Sequence, residues 1–534
     1  LVLGQEFSRK DSLRGQWSPA RASYDVGFYD LSVDVDPERK ALYGEVIMRI
    51  KALETLDSIQ VDLYENMELL EVTYGGEPLF FKREFDAVWL YFSRPIPKDY
   101  VVDIRMEHQG IPVAAKRAPW DGGLVWRTDA QGRPWIGVAV EGDGASLWWP
   151  NKDHLADEPD SMMIRLTVPK GLVAVANGNC VDTLNLGDKQ RYDWKVSHPI
   201  NNYNVTLNIA HYSHFSRTYK GLDGPLDLDF YVLDYNLEKA QTHFNQVEGM
   251  LDCFEDLFGA YPFYRDGYAL VETPYLGMEH QSAIAYGNKY LPGYMGMRPP
   301  GIDFDYIIIH ETGHEWWGNS VSMKDLADMW IHESFCTYSE ALYVECLHGR
   351  DEMQRYLNFQ RPFITNDSPI LGHYGVNHHG NSTDMYYKGS WMLHSLRSLV
   401  NNDSLWLSCI KGLALQFRHQ TVDRDQVIQY MEQTLGMDLQ AIMDQYQKHS
   451  KLPVLEYEYV SRGWFGYQLR YRWKTDVEGF SMESIWVDEA GNALRLPTNN
   501  QWRSLKIKAK DRGRWTPNLD LLLIKVLNRA ELQN

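Results

Sequence analysis

The stretch Ile302-Asp-Phe-Asp-Tyr-Ile-Ile-Ile-His310-Glu311-Thr312-Gly313-His314, with Glu333 after 18 intervening residues, decides how this chain is read. Residues 302–309 are largely apolar and fit a buried helix. Positions i and i+4 share one face of a helix, so His310 and His314 offer two imidazoles to one ion. Glu311 lies about 100° round the axis, near the open side of that ion rather than in line with its ligands. Two neutral nitrogens and one carboxylate make a zinc site that keeps a position open, as catalytic sites do and structural ones do not. A surface helix with two accidental histidines would have neither the apolar lead-in nor a third ligand on a second predicted helix.

The 534 residues suggest three or four domains. Hydrophobic residues make up 44% and charged residues 23%, an ordinary globular composition. No run of about 18 apolar residues exists, so the chain is not expected to span a membrane. The net charge is −19, without a long acidic block, and no basic stripe is present to neutralise phosphates, which argues against nucleic acid. The 18 Trp and 33 Tyr lack interleaved Lys and Arg and read as core and pocket lining. The five cysteines are scattered and read as free thiols. Cys336 and Cys346, ten residues apart on one predicted helix, are about 15 Å apart and cannot bridge. Leu1-Val2-Leu3-Gly4-Gln5 resembles the end of a secretory signal peptide, which predicts a secreted or periplasmic protein, with the cytoplasm as the alternative.

Taken in order, residues 1–20 are an N-terminal arm or signal-peptide remnant, polar and extended from residue 6. Residues 21–212 form an all-β region. Alternating segments at 29–35 and 44–50 are followed by short strands at 59–63, 88–92, 101–106, 163–168 and 203–209. The period then changes. Ala240, Phe244, Val247, Leu251, Phe254 and Phe258 form one apolar stripe of an amphipathic helix stopped by Gly259. Further helices are predicted across 333–346 and 384–400, and over 422–435 with Thr421 as its cap. This mainly helical region runs over 213–452. Strands return in 453–534, at 457–460, 467–472, 485–487, 505–508 and 521–526, as a small β-sandwich. The fold class is multidomain α+β.

The segment His310 to Glu333, H-E-T-G-H-E-W-W-G-N-S-V-S-M-K-D-L-A-D-M-W-I-H-E, resembles the zinc signature of the M1 family of aminopeptidases. Leu276-Gly277-Met278-Glu279-His280 is similar to the exopeptidase motif of that family, usually G-A-M-E-N or G-G-M-E-N. Tyr386-Tyr387-Lys388-Gly389 resembles its Y-x-K-G, and Trp149-Pro150 with Asp157-Glu158-Pro159 loosely resembles its F-P-C-x-D-E-P segment. The resemblance implies an N-terminal β saddle, a thermolysin-like catalytic domain and a small β-sandwich. It departs at Leu276, His280 and His332, which stand where the family has Gly, Asn and Asn, and the D-E-P segment carries an insertion and no Cys. Only 82 residues follow Leu452, so the large C-terminal helical domain of many members is not expected.

The resemblance also implies roles. One Zn2+ is held by His310, His314 and Glu333, and Glu311 is the general base. Tyr386 donates to the developing oxyanion, and only the Y-x-K-G match separates it from Tyr387. Glu279, with Gly277, Met278 and His280 around it, holds the substrate ammonium, and Glu141 is a second anchor by its spacing from Pro150. A protonated His280 would weaken amine binding at low pH. The expected activity is hydrolysis of the N-terminal peptide bond of peptides with a free N-terminus. The alternatives are a hydrolase of the same fold with altered specificity (dipeptide-specific, endopeptidase or epoxide hydrolase) and a non-catalytic scaffold.

Overall fold

The computed structural model describes residues 7–378 and 382–529; Leu1–Gln5 lie outside them. The arm is not extended. Ser8 and Asp11 close a capping box that starts the helix Arg9–Gly15, and Pro19 opens a second short helix, Pro19–Ala22.

The alternation read at 29–35 and 44–50 belongs to two long strands, Tyr24–Asp36 and Ala41–Ala52, paired antiparallel at the centre of an eight-stranded sheet. Leu31, Val46, Met48 and Ile50 are buried along them, as the period of two demands. A three-stranded and a four-stranded sheet complete this region around one apolar core. The strand expected at 203–209 is instead a 3-10 turn, Asn202–Asn204, capped by Asn201, and a short strand, Asn208–Ala210.

The hairpin Tyr212–Gly221/Gly224–Leu233 begins a mixed five-stranded sheet that continues through Tyr268–Glu272 and Ile284–Tyr286 to an edge strand, Gly277–Met278. The apolar stripe from Ala240 to Phe258 is two helices, Leu237–His243 and Gln246–Phe258, with Gly259 at φ +93° ending the second. The chain breaks at Phe244-Asn245 because His243 reaches Asp305 and Gln246 donates back to the His243 carbonyl. The helix carrying His310 starts only at Tyr306, capped by Asp305, so the apolar lead-in is half loop. Asp423, in a capping box with Gln426, caps the helix Arg424–Leu435, while Thr421 sits in a strand.

Cys253 and Cys346 form a disulfide between the helices Gln246–Phe258 and Trp330–His348; Cys180, Cys336 and Cys409 are free. The expectation of five free thiols is corrected for that pair, which lies 93 residues apart and meets only in the fold. After Leu452 a four-stranded and a three-stranded sheet make the C-terminal sandwich. No helix among the described residues is long and apolar enough to cross a membrane.

Candidate zinc centre and its cleft

Two helices cross to build the centre. The short helix Tyr306–Gly313 lies on Trp330–His348, and a Cβ on Gly313 would stand 2.9 Å from Cys336 Sγ, so glycine permits the close approach. His310 Nε2 and His314 Nε2 are 3.3 Å apart, and Glu333 Oε2 lies 3.6 and 3.7 Å from them. An ion held tetrahedrally by bonds of about 2.0–2.1 Å needs ligand atoms about 3.3 Å apart. The triangle is therefore the size of a zinc site. Glu333 Oε2 is buried and accepts no hydrogen bond, which leaves it free for a cation. The Cys336 thiol also lies within 4.8 Å of the His310 and His314 nitrogens, but it donates to the His310 carbonyl at 2.8 Å. We therefore assign the donor set to the two imidazoles and Glu333.

The other nitrogen of each histidine is fixed. His310 Nδ1 pairs with Glu340 Oε1 at 2.6 Å, and His314 Nδ1 with the Trp317 carbonyl at 2.9 Å. Both bonds put the proton on Nδ1 and turn the Nε2 lone pair toward the ion. Glu340 also accepts from the Tyr356 hydroxyl. Gly318, at φ +137°, brings the backbone where a Cβ would stand 3.2 Å from His314 Nδ1.

Tyr386 enters from the helix Asp384–Val400. A Cβ on Gly389 would fall 1.9 Å from Ser334 Oγ, so this glycine lets the helix pack hard against Trp330–His348. Lys388 anchors the same turn by donating to the His449 and Ser450 carbonyls, both at 3.0 Å. The Tyr386 hydroxyl then donates to Glu333 Oε1 at 3.0 Å. Burial and the neighbouring Glu333 charge hold its pKa well above the usual phenol value, so it stays a donor. Tyr387 also lines the cavity and packs on Phe363, but makes no hydrogen bond to a ligand.

These groups open on a cavity of about 460 Å³. Glu141, Gly277, Met278, Glu279, Glu311, Trp120, Tyr294 and Phe363 are among its walls, and no Lys or Arg is among the described ones. Gly277 lies on the edge strand, where a Cβ would come 2.5 Å from Glu311 Oε1 and displace that carboxylate. One oxygen each of Glu279 and Glu311 and one nitrogen of His314 lie within 4.8 Å of one another; so do Glu141, Glu279 and a His332 nitrogen. The carboxylates thus form a row leading away from the ligands. Burial pushes Glu311 up to about 7, against the pull of His310 and His314. Burial and then the charge of Glu279 hold Glu141 well above the carboxylate range. Glu279 is raised by burial and by Glu333, with His314 opposing.

Several supporting residues were not singled out from the sequence. Tyr203 donates to Glu279 Oε1 at 3.1 Å, and Asn319 holds the Glu279 carbonyl at 2.8 Å. Glu340 lies seven residues after Glu333, two turns along the same helix face, and that spacing was a readable signal. Tyr203 and Asn319 carried none, being distant in sequence from Glu279. His280 is fully buried, is not among the cavity walls, and burial pushes its pKa down to about 3. The idea that it becomes protonated beside the substrate is therefore set aside. His332 Nε2 accepts from the Met323 N–H at 2.9 Å.

Residues 242–446 match the family model described as the peptidase family M1 domain. Aminopeptidase Q of Acinonyx jubatus is 23% identical over 331 residues, which are 56% of this chain and 31% of that protein. Aminopeptidase N of Lactococcus lactis subsp. lactis is 26% identical over 219 residues, 37% of this chain and 23% of that one. A probable aminopeptidase 2 of Sulfurisphaera tokodaii is 23% identical over 361 residues, 65% of this chain and 43% of its own length. The chain thus spans less than half the length of these curated relatives. Among solved structures, an M1 zinc metallopeptidase of Deinococcus radiodurans superposes with a TM-score of 0.69 at 19% identity, covering 80% of this chain and 94% of that one. A mutant two-domain M1 zinc metallopeptidase bound to L-tryptophan gives 0.70 at 20% identity, covering 84% and 99%. These likenesses show a shared fold.

Proposed function

We propose that this chain, in which residues 242–446 match the peptidase family M1 domain, is a zinc-dependent aminopeptidase of that family that removes residues from peptides with a free N-terminus. The observation that carries the proposal is the row Glu141, Glu279, Glu311, ending at the ligand His314. An internal peptide bond brings no cation to such a row, whereas a free α-ammonium does, and a cleft without Lys or Arg offers it no competition.

His310, His314 and Glu333 would hold a zinc ion, which when bound would supply Lewis acidity for a water and for the scissile carbonyl. Glu311 takes a proton from the attacking water and returns it to the leaving amine. Tyr386 donates its hydroxyl hydrogen to the oxygen that gains charge. Glu279, steadied by Tyr203 and Asn319, and Glu141 hold the ammonium and set the first peptide bond over the centre.

Mass spectrometry of matched free and N-acetylated peptides tests the reading. Acetylated peptides should be cut far more slowly, Glu279→Ala should raise KM and lower kcat, and Glu141→Ala should do the same more weakly. Equal cleavage of both peptides, or cuts at internal bonds, would overturn the aminopeptidase assignment and leave the hydrolase. The proposal also puts the chain in an oxidising compartment, secreted or periplasmic, and the Cys253–Cys346 disulfide supports that. Alkylation of protein denatured without reductant that labels all five cysteines would count against it.

A further inference from the structure

The C-terminal sandwich differs in charge from the rest of the chain. Residues 453–534 hold 13 Lys and Arg against 10 Asp and Glu, a balance of +3, which leaves −22 for residues 1–452. Part of that positive charge gathers around one hairpin tip. The strands Val454–Ser461 and Tyr467–Lys474 are joined through Arg462-Gly463-Trp464-Phe465-Gly466, with Gly463 at φ +61° and Gly466 at φ +88°. Trp464 is 103% exposed and Phe465 89%. No other large apolar side chain described is as exposed, and here two are consecutive.

The tip has a basic collar. Strand Arg503–Ile507 pairs with Tyr467–Lys474, Tyr467 opposite Ile507, and delivers Lys508, Lys510 and Arg512 beside the turn. The Arg512 guanidinium sits 4.7 Å over the Tyr467 ring and donates to its hydroxyl at 3.2 Å. Arg462, Lys508, Lys510 and Arg512 are exposed and form no ion pair among the described residues. Asp511, between Lys510 and Arg512 in the sequence, is bound by Arg514 at 3.3 Å. The turn also closes its own backbone: Arg462 N–H to Gly466 O at 2.8 Å, Phe465 N–H to Arg462 O at 3.3 Å and Gly466 N–H to Gly463 O at 3.3 Å. With Gly463 N–H on Ser461 Oγ at 3.3 Å, four of the five turn amides are bonded within the protein, so little backbone is orphaned when the tip leaves water.

We propose that this tip docks the protein on an anionic phospholipid surface, with Trp464 and Phe465 entering the interface and Arg462, Lys508, Lys510 and Arg512 meeting the phosphates. Aromatic rings that insert shallowly, flanked by cations on flexible stems, are the chemistry of such a surface. The cations attract only where the lipid is anionic, and the strongly acidic remainder of the chain keeps other faces away from it. None of these residues lines the zinc cavity, so the inference is independent of the proposed activity.

Full-length protein is sedimented with phosphatidylcholine vesicles with and without phosphatidylglycerol. Binding is expected only to the anionic vesicles. It should fade between about 0.1 M and about 1 M salt as the screening length falls from ~10 to ~3 Å. Lys508→Ala with Lys510→Ala should weaken it about 25-fold, near five-fold per charge. Trp464→Ser with Phe465→Ser should abolish it, and Trp464→Phe should remove the tryptophan quenching by brominated lipid. Hydrolysis of a soluble aminoacyl substrate should stay unchanged in every variant. No binding, equal binding to neutral vesicles, or indifference to the substitutions would overturn the proposal. So would sedimentation velocity in which the Trp464/Phe465 variant turns a dimer into a monomer, which would give the tip to a second copy.

Discussion

Glu340 is neither a proposed ligand nor among the cavity walls, yet its contacts predict a measurable share of zinc affinity. Its Oε1 takes the His310 Nδ1 proton at 2.6 Å, and its Oε2 takes the Tyr356 hydroxyl. All three side chains are buried. Glu340→Ala leaves two buried donors without an acceptor, at about 1–3 kcal/mol each, so the apo fold should lose roughly 2–6 kcal/mol. It also frees the His310 ring to turn. Loss of such an outer carboxylate costs ~10–100-fold in metal affinity, about 1.4–2.7 kcal/mol. Glu340→Gln keeps an acceptor oxygen but loses the charge, and should fall near the lower end of that range. The assay is zinc content of apo protein in a chelator-buffered series, with thermal melts at saturating zinc to separate affinity from folding. If Glu340→Ala bound zinc as tightly as the parent, the orientation of His310 would not depend on this bond and the reasoning would fail.

Glu311→Gln should keep its zinc, by elemental analysis, while turnover falls by roughly 10²–10⁴; full activity would remove Glu311 as the base. Tyr386→Phe should lower kcat by about 10²–10³ with KM little changed, and Tyr387→Phe should be close to the parent; the reverse pattern in steady-state kinetics would shift the role by one residue. Burial pushes His108 down to about 4 and His394 to about 3, and neither is among the cavity walls. A histidine with a depressed folded pKa takes its proton more readily in the unfolded chain. Its stabilisation is complete above about pH 6.5 and is lost as pH falls toward the folded value. For His108 alone that is about 2.5 kcal/mol between pH 7 and pH 4.5. Urea midpoints that stayed flat over that range would refute it.

The convergence of His310, His314 and Glu333 was legible because helical periodicity carries it: the two histidines are one turn apart, and Glu333 follows on a second helix whose burial its own composition announces. Strand alternation located the two central strands of the large sheet for the same reason. What failed has one physical origin, since contacts between distant segments leave no period. The stripe from Ala240 to Phe258 runs unbroken through a helix break that depends on Asp305, some sixty residues away. Cys253 and Cys346 look unrelated until two helices lie side by side. Glu141 could be placed only by counting back from Pro150, and its closeness to Glu279 is a property of the packed sheets. His280, next to Glu279, looked like part of the subsite, but the backbone turns it into the core.

The two carboxylates proposed to hold the substrate amine come from different parts of the molecule. Glu141 follows the strand Pro134–Ala139 of the N-terminal sheets, whereas the Glu279 backbone is gripped by Asn319, just beyond the zinc-bearing helix. A cation lodged between them acts as a rivet through two plates. Free amino acids and peptide amines should therefore tighten the whole assembly against shear, and each turnover both loads and releases that joint. Grip on the substrate can then drift through small shifts of either plate, without any change in the residues that perform the hydrolysis.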